Sequence, residues 1–143
     1  MRFEPPTIAV MPAERATAAI FVALACGMLE ALLRAAVELD RPGAEIGSLA
    51  TGLGARLGVY AVIALVALRL RAGERWARLT LLIGLGTVGL ASLLAEPIAA
   101  TLSANGFGPL TFESAAIGIV RAVHVLAVCT ALAYLVRRAP RRV

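Results

Sequence analysis

Ala16–Val37, ATAAIFVALACGMLEALLRAAV, decides how the rest of the chain is read. Glu30 and Arg34 are its only charged residues. At about 1.5 Å per residue, a helix of this length crosses a hydrocarbon core about 30 Å thick. Pro12 and Glu14 stand just before it, where a first-turn proline and an acid suit a helix N-terminus. A cleaved signal peptide would show the same order of arginine and then apolar residues. Here Glu30, Arg34 and Glu38 follow with no small-x-small cleavage site, so the segment reads as a retained helix.

Three more stretches of the same kind follow, at about 48–70, 78–102 and 114–136. The chain of 143 residues is 60% hydrophobic and 16% charged, against about 25% charged in soluble domains. The expected fold is all-α: a four-transmembrane-helix bundle forming one integral membrane domain over 1–143, with a short N-terminal tail at 1–11. The connections read as turns. Gly73 stops a helix in Arg71–Arg75, and Asn105-Gly106 and Gly108-Pro109 are turn dipeptides.

Orientation follows from arginine. All 14 basic residues are Arg. Arg2 and Arg15 precede the first span; Arg69, Arg71, Arg75 and Arg78 surround the second connection; Arg137, Arg138, Arg141 and Arg142 end the chain. The first connection holds Arg41 beside Asp40 and Glu45, and the third holds no base. Basic loops stay in the cytoplasm, so both termini are expected inside an inner (plasma) membrane. Trp76 lies at the inner boundary, where indole prefers the headgroup level. The net charge of +5 therefore reports topology and contact with anionic lipid, not nucleic acid.

The connection Arg71-Ala-Gly-Glu-Arg-Trp-Ala-Arg78, together with size and layout, resembles uncharacterised small four-helix membrane proteins of high-GC bacteria. The likeness covers a loop and a layout and carries over no functional residue. The small multidrug-resistance transporters share four spans and a first-helix Glu, which Glu30 would match. Arg34, Arg56 and Arg121, and the scarcity of aromatics near Glu30, depart from that pattern.

Six ionisable residues fall inside the spans: Glu30, Arg34, Arg56, Glu96, Arg121 and His124. A charge at mid-bilayer costs about 2.5–3.5 kcal/mol on insertion scales, so these residues need partners. Counting about 1.5 Å per residue from the outer span ends places all of them in the outer half. Glu30 and Arg34 share a helix face, as do Arg121 and His124. Glu30 precedes Arg56, and Glu96 precedes Arg121, by nearly equal spacing. The two halves can thus be read as repeated helical hairpins, with Glu30 paired to Arg56 and Glu96 to Arg121, or as four short spans under common constraints. Pro97 frees the carbonyl of Leu93 for another partner.

Gly52-Leu-Gly54 and Gly84-Leu-Gly86 look like nucleotide loops, but no strand or P-loop Lys accompanies them. They read as helix-packing positions, with Gly58 and Gly89, within the chain or between chains. Cys26 and Cys129 read as small buried residues that pack like alanine. No metal-ligand spacing, catalytic constellation or cofactor motif occurs in the sequence. The expectation is a non-enzymatic membrane protein acting by helix association, with itself or in a larger membrane complex. The alternative is a small transporter or channel using the outer-half Glu/Arg/His cluster for an anion, a proton or a small polar ligand.

Overall fold

The computed structural model describes residues 11–102 and 111–137; for 11, 12, 96, 97 and 100 it describes the backbone alone. The expected turns at Asn105-Gly106 and Gly108-Pro109, the tail and the last arginines lie outside those residues. In chain order the elements are α1 (Met11–Leu39), α2 (Ile46–Arg71), α3 (Arg75–Gly84), a π-helical turn (Leu85–Gly89), α4 (Leu90–Leu102) and α5 (Phe112–Val136). No strand occurs among the described residues. Four helices are long and apolar enough to cross a membrane: Ala13–Leu39, Ile46–Arg71, Arg75–Ala95 and Phe112–Val136. In lipid a helix is the economical solution, because it satisfies its backbone polar groups internally.

Local sequence explains the helix ends. Gly73 has φ +86°, which an L side chain rarely adopts. Its amide donates to the Leu70 carbonyl (3.0 Å) and that of Glu74 to the Arg69 carbonyl (3.2 Å). This is a Schellman closure of α2. Glu74 then accepts from Arg69 Nη1 at 3.0 Å and from the Trp76 indole N–H. These two contacts, Arg69 first, hold its carboxyl below the usual carboxylate range. At the other end of the bundle, α5 begins two residues earlier than the hydropathy suggests. Thr111 and Ser114 form a reciprocal capping box, and Glu113 meets the positive end of the helix dipole.

The third span is helical from Arg75 to Leu102, as expected, but a π-helical turn interrupts its α pattern. The Leu90 amide bonds to the Leu85 carbonyl, an i→i+5 step that inserts one extra residue. One residue rotates everything after it by about 100°. Thr87 Oγ1 donates to the Ile83 carbonyl at 2.6 Å and ties the start of the widened turn.

Packing is uneven along the bundle axis. α1 packs most extensively on α5, while the backbone of α2 lies against α1 and α3 and not against α4 or α5. The core sits at the Arg-rich end. There Ala16, Ile20, Ala67, Ala77, Val128 and Ala131 are almost wholly buried. Alanines let these backbones approach closely, and Thr17 Oγ1 reaches the Ala67 carbonyl at 3.5 Å. Arg78 fastens the same end, donating from Nε to the Leu135 carbonyl (2.7 Å) and from Nη2 to the Arg137 carbonyl (3.1 Å). Leu135 lies in the last turn of α5 and Arg137 is its C-cap, where carbonyls lack intrahelical donors. Towards the other end α2 stands away from α4 and α5, and most of its first turns are exposed. Large apolar side chains such as Val22, Leu65, Ile83, Ile119 and Leu126 face outward around the bundle.

Cys129 is exposed and Cys26 half-buried, both as free thiols. The burial expected for Cys129 fails because an outward face met by lipid is as tolerant of a small apolar thiol as a core is.

Candidate functional site

Glu30 organises the site. It lies on α1, about two and a half turns from the helix end at Leu39, and is 7% exposed. Its Oε1 accepts from Arg121 Nη2 at 2.6 Å and Nε at 3.0 Å, and from Arg34 Nε at 3.2 Å. Arg34 arrives from the same face, one turn along α1; Arg121 comes across from α5. His124, one turn further along α5, places Nδ1 at 3.9 Å from Glu30 Oε2, beyond hydrogen-bond reach. That nitrogen is buried and has no hydrogen-bond partner among the described residues.

The expected pairing of Glu30 with Arg56 does not form; Glu30 takes Arg121, which lies 91 positions away. The cause is the order of helices around the bundle. α1 lies along α5, so the carboxylate meets the α5 guanidinium first. The Glu96 side chain lies outside the described residues, and with it the expected pairing of Glu96 with Arg121.

Arg56 remains at the site without joining the network. It lines the same cavity as Glu30, Arg34, Arg121 and His124. It is exposed and makes no hydrogen bond or ion pair among the described residues. The cavity measures about 610 Å³, in the range of about 300–1,000 Å³ typical of small-molecule sites. It is formed where α2 parts from α4 and α5. Its charged residues gather at the end away from Gly73. Its other walls, including Leu24, Ile63, Val66, Leu81, Leu85 and Val128, are apolar. Gly84, Gly89 and Ser92 face it from the third span.

Two residues that sequence reasoning did not weigh as part of the cluster complete it. Tyr60 lies one turn beyond Arg56 on α2, and Gly27 one turn before Glu30 on α1. A Cβ built on Gly27 would lie 2.6 Å from the Tyr60 hydroxyl and 2.8 Å from His124 Cε1. The missing side chain lets the Tyr60 hydroxyl and the His124 ring come up against the α1 backbone here. The available signal was a glycine at i−3 from the first intramembrane acid.

The other glycines behave differently. A Cβ at Gly52, Gly54, Gly58 or Gly84 would meet nothing within 4 Å. At Gly86 it would touch Leu132 Cδ2 at 3.8 Å, and at Gly89 the nearest atom is the Gly84 carbonyl oxygen at 3.5 Å. Among the described residues, no group of three His, Cys, Asp or Glu gathers to hold a metal ion.

No protein-family model, curated protein or solved structure matches the chain. The functional reading therefore rests on the site itself.

Proposed function

We propose that the chain is a multi-pass plasma-membrane protein, with both termini cytoplasmic, that binds a small anionic ligand in the cleft beside Glu30. The arginines around Gly73 and after Val136 support the orientation. In that orientation the alanine-packed end faces the cytoplasm and the charged cleft lies in the outer half. The site would be open outward and closed inward, as one state of a small transporter would be.

Arg56 is the observation that carries the reading. Its guanidinium is exposed along the cleft, so its donors stand open to a bound anion. Glu30 is engaged by Arg34 and Arg121, and Arg56 has no partner among the described residues. A bound anion would supply the missing charge. The purified protein should be stabilised by carboxylate or phosphate compounds and not by organic cations. At a ligand concentration about 100 times Kd the gain is about 2.7 kcal/mol. Arg56→Gln should remove that gain while leaving the unliganded protein as stable as before. If no anion stabilises the wild-type chain, the reading is wrong.

A second reading has its own observation. The open positions at Gly52, Gly54 and Gly58 offer α2 a surface for close approach by another helix. On that reading the chain acts by association, with a second copy or within a larger membrane complex, and not as an enzyme. Gly54→Leu would then change the oligomeric state in mild detergent without changing anion binding.

A further inference from the structure

We infer that the ligand is a single-chain anionic amphiphile, a carboxylate or phosphate monoester on one alkyl chain, drawn from the lipid phase. This rests on the anion-binding reading above and adds the shape of the ligand to it.

The cavity is itself amphipathic along the bundle axis. Arg34, Arg56, Arg121 and His124 stand at one end with Glu30, whose carboxylate Arg34 and Arg121 already engage, and Ile63, Val66, Leu81 and Val128 line the rest. From Arg56 to Val66 along α2 is about 15 Å at 1.5 Å per residue. That depth suits an extended alkyl chain of medium length. An inorganic anion would fill the charged end alone and leave the apolar length without a partner. A zwitterionic two-chain lipid would bring a cationic headgroup against three arginines and a second tail into a cavity of about 610 Å³.

The opening also points to lipid as the source. The backbone of α2 does not lie against α4 or α5, so the cleft parts sideways between helices. Val59, Val62 and Val88 line the cavity and are strongly exposed at that gap. An amphiphile can slide through such a gap with its head staying at the level of Arg56 and its tail remaining in an apolar medium throughout. Alkyl chain passing from bilayer to cleft gains little from burial, because both are apolar. Selection must therefore come from the charged end, with the apolar wall setting chain length.

The test uses the full chain in phosphatidylcholine nanodiscs and a dodecanoate carrying a photoreactive diazirine at the tail end. Labelling should fall on the cavity floor, at Ile63–Val66 and Thr80–Leu85. Excess dodecanoate should compete, whereas acetate, inorganic phosphate and dodecanol should not. Arg56→Gln should weaken labelling roughly tenfold or more, the factor that about 1.4 kcal/mol corresponds to. Gly84→Leu, placed where a Cβ meets nothing within 4 Å, should remove floor labelling by filling the apolar length while the protein unfolds at its usual temperature. Competition by acetate or phosphate as strong as by dodecanoate would overturn the amphiphile and leave the anion reading standing. Labelling spread over all outward faces without competition, or equal competition by dodecanol, would also overturn it. Floor labelling unchanged in Arg56→Gln would overturn the anion reading itself.

Discussion

Removing the charge of Glu30 tests whether the cross-bundle ion pair is what holds α5 to α1 at the open end. Glu30→Gln leaves Arg121, with its side chain 18% exposed, facing a neutral amide in place of a carboxylate that now accepts from it at 2.6 and 3.0 Å. Breaking one partner of a buried pair costs about 3–5 kcal/mol where the other charge is left uncompensated; Arg121 keeps an interaction besides Glu30, so the loss should fall towards or below the low end of that range. Both side chains are well under a third exposed, so solvent screening takes little from that figure. Arg121→Gln should destabilise less, because Arg34 Nε still donates to Glu30 Oε1 at 3.2 Å. The double variant should lose less than the sum of the two, with a coupling of about 0.5–3 kcal/mol. Unfolding in mixed micelles of mild detergent and dodecyl sulfate, followed by circular dichroism, reads all four corners of the cycle. Arg56 supplies the control. It is exposed and has no partner among the described residues, so Arg56→Gln should change stability by no more than about 0.5 kcal/mol. Additive losses for Glu30 and Arg121, or strong coupling of Glu30 to Arg56, would refute the reasoning.

Three further outcomes follow from other parts of the molecule. Gly27→Ala should destabilise by about 1–3 kcal/mol through overpacking, and adding Tyr60→Phe should recover part of the loss by removing the nearest atom; thermal unfolding of the two variants decides it. Arg78→Gln should cost about 1.5–3 kcal/mol by uncovering carbonyls at the end of α5, and hydrogen exchange should quicken in that last turn and not elsewhere. The only Trp makes the contact at Glu74 readable by fluorescence. Because the folded carboxyl is held below its ordinary value, the contact is fully present above that value and is lost as pH falls through the lower one. Trp76 emission should therefore change with a midpoint below about 4.3, and Glu74→Gln should abolish the change.

The spans were legible because hydropathy and length are local properties. So were Gly73, whose positive φ closes α2, and the grouping of Glu30 with Arg34, which needs only helical periodicity. The order of helices around the bundle was not legible. A helix surrounded by lipid need not carry a polar stripe, so nothing in α2 says whether Arg56 faces Glu30. Equal spacing between halves suggested neighbouring spans as partners, yet Glu30 reaches across to Arg121. Close packing was expected at glycines and occurs mainly at alanines: Ala16, Ala67, Ala77 and Ala131 are buried, while Gly52, Gly54 and Gly58 stand open. Hydropathy weighs the two residues almost alike, and only the three-dimensional contact separates them. The π turn escaped notice because inserting one residue leaves composition untouched.

The central claim is that the alanine-packed end faces the cytoplasm and the charged cleft occupies the opposite half of the membrane. Paired fluorescent-protein and alkaline-phosphatase fusions in living cells measure this most directly. Fusions within the Gly73 connection and after Val136 should fluoresce and lack phosphatase activity, whereas fusions at Gly43 should show phosphatase activity and no fluorescence. Phosphatase activity at the C-terminal fusion, or fluorescence at Gly43, would contradict the claim.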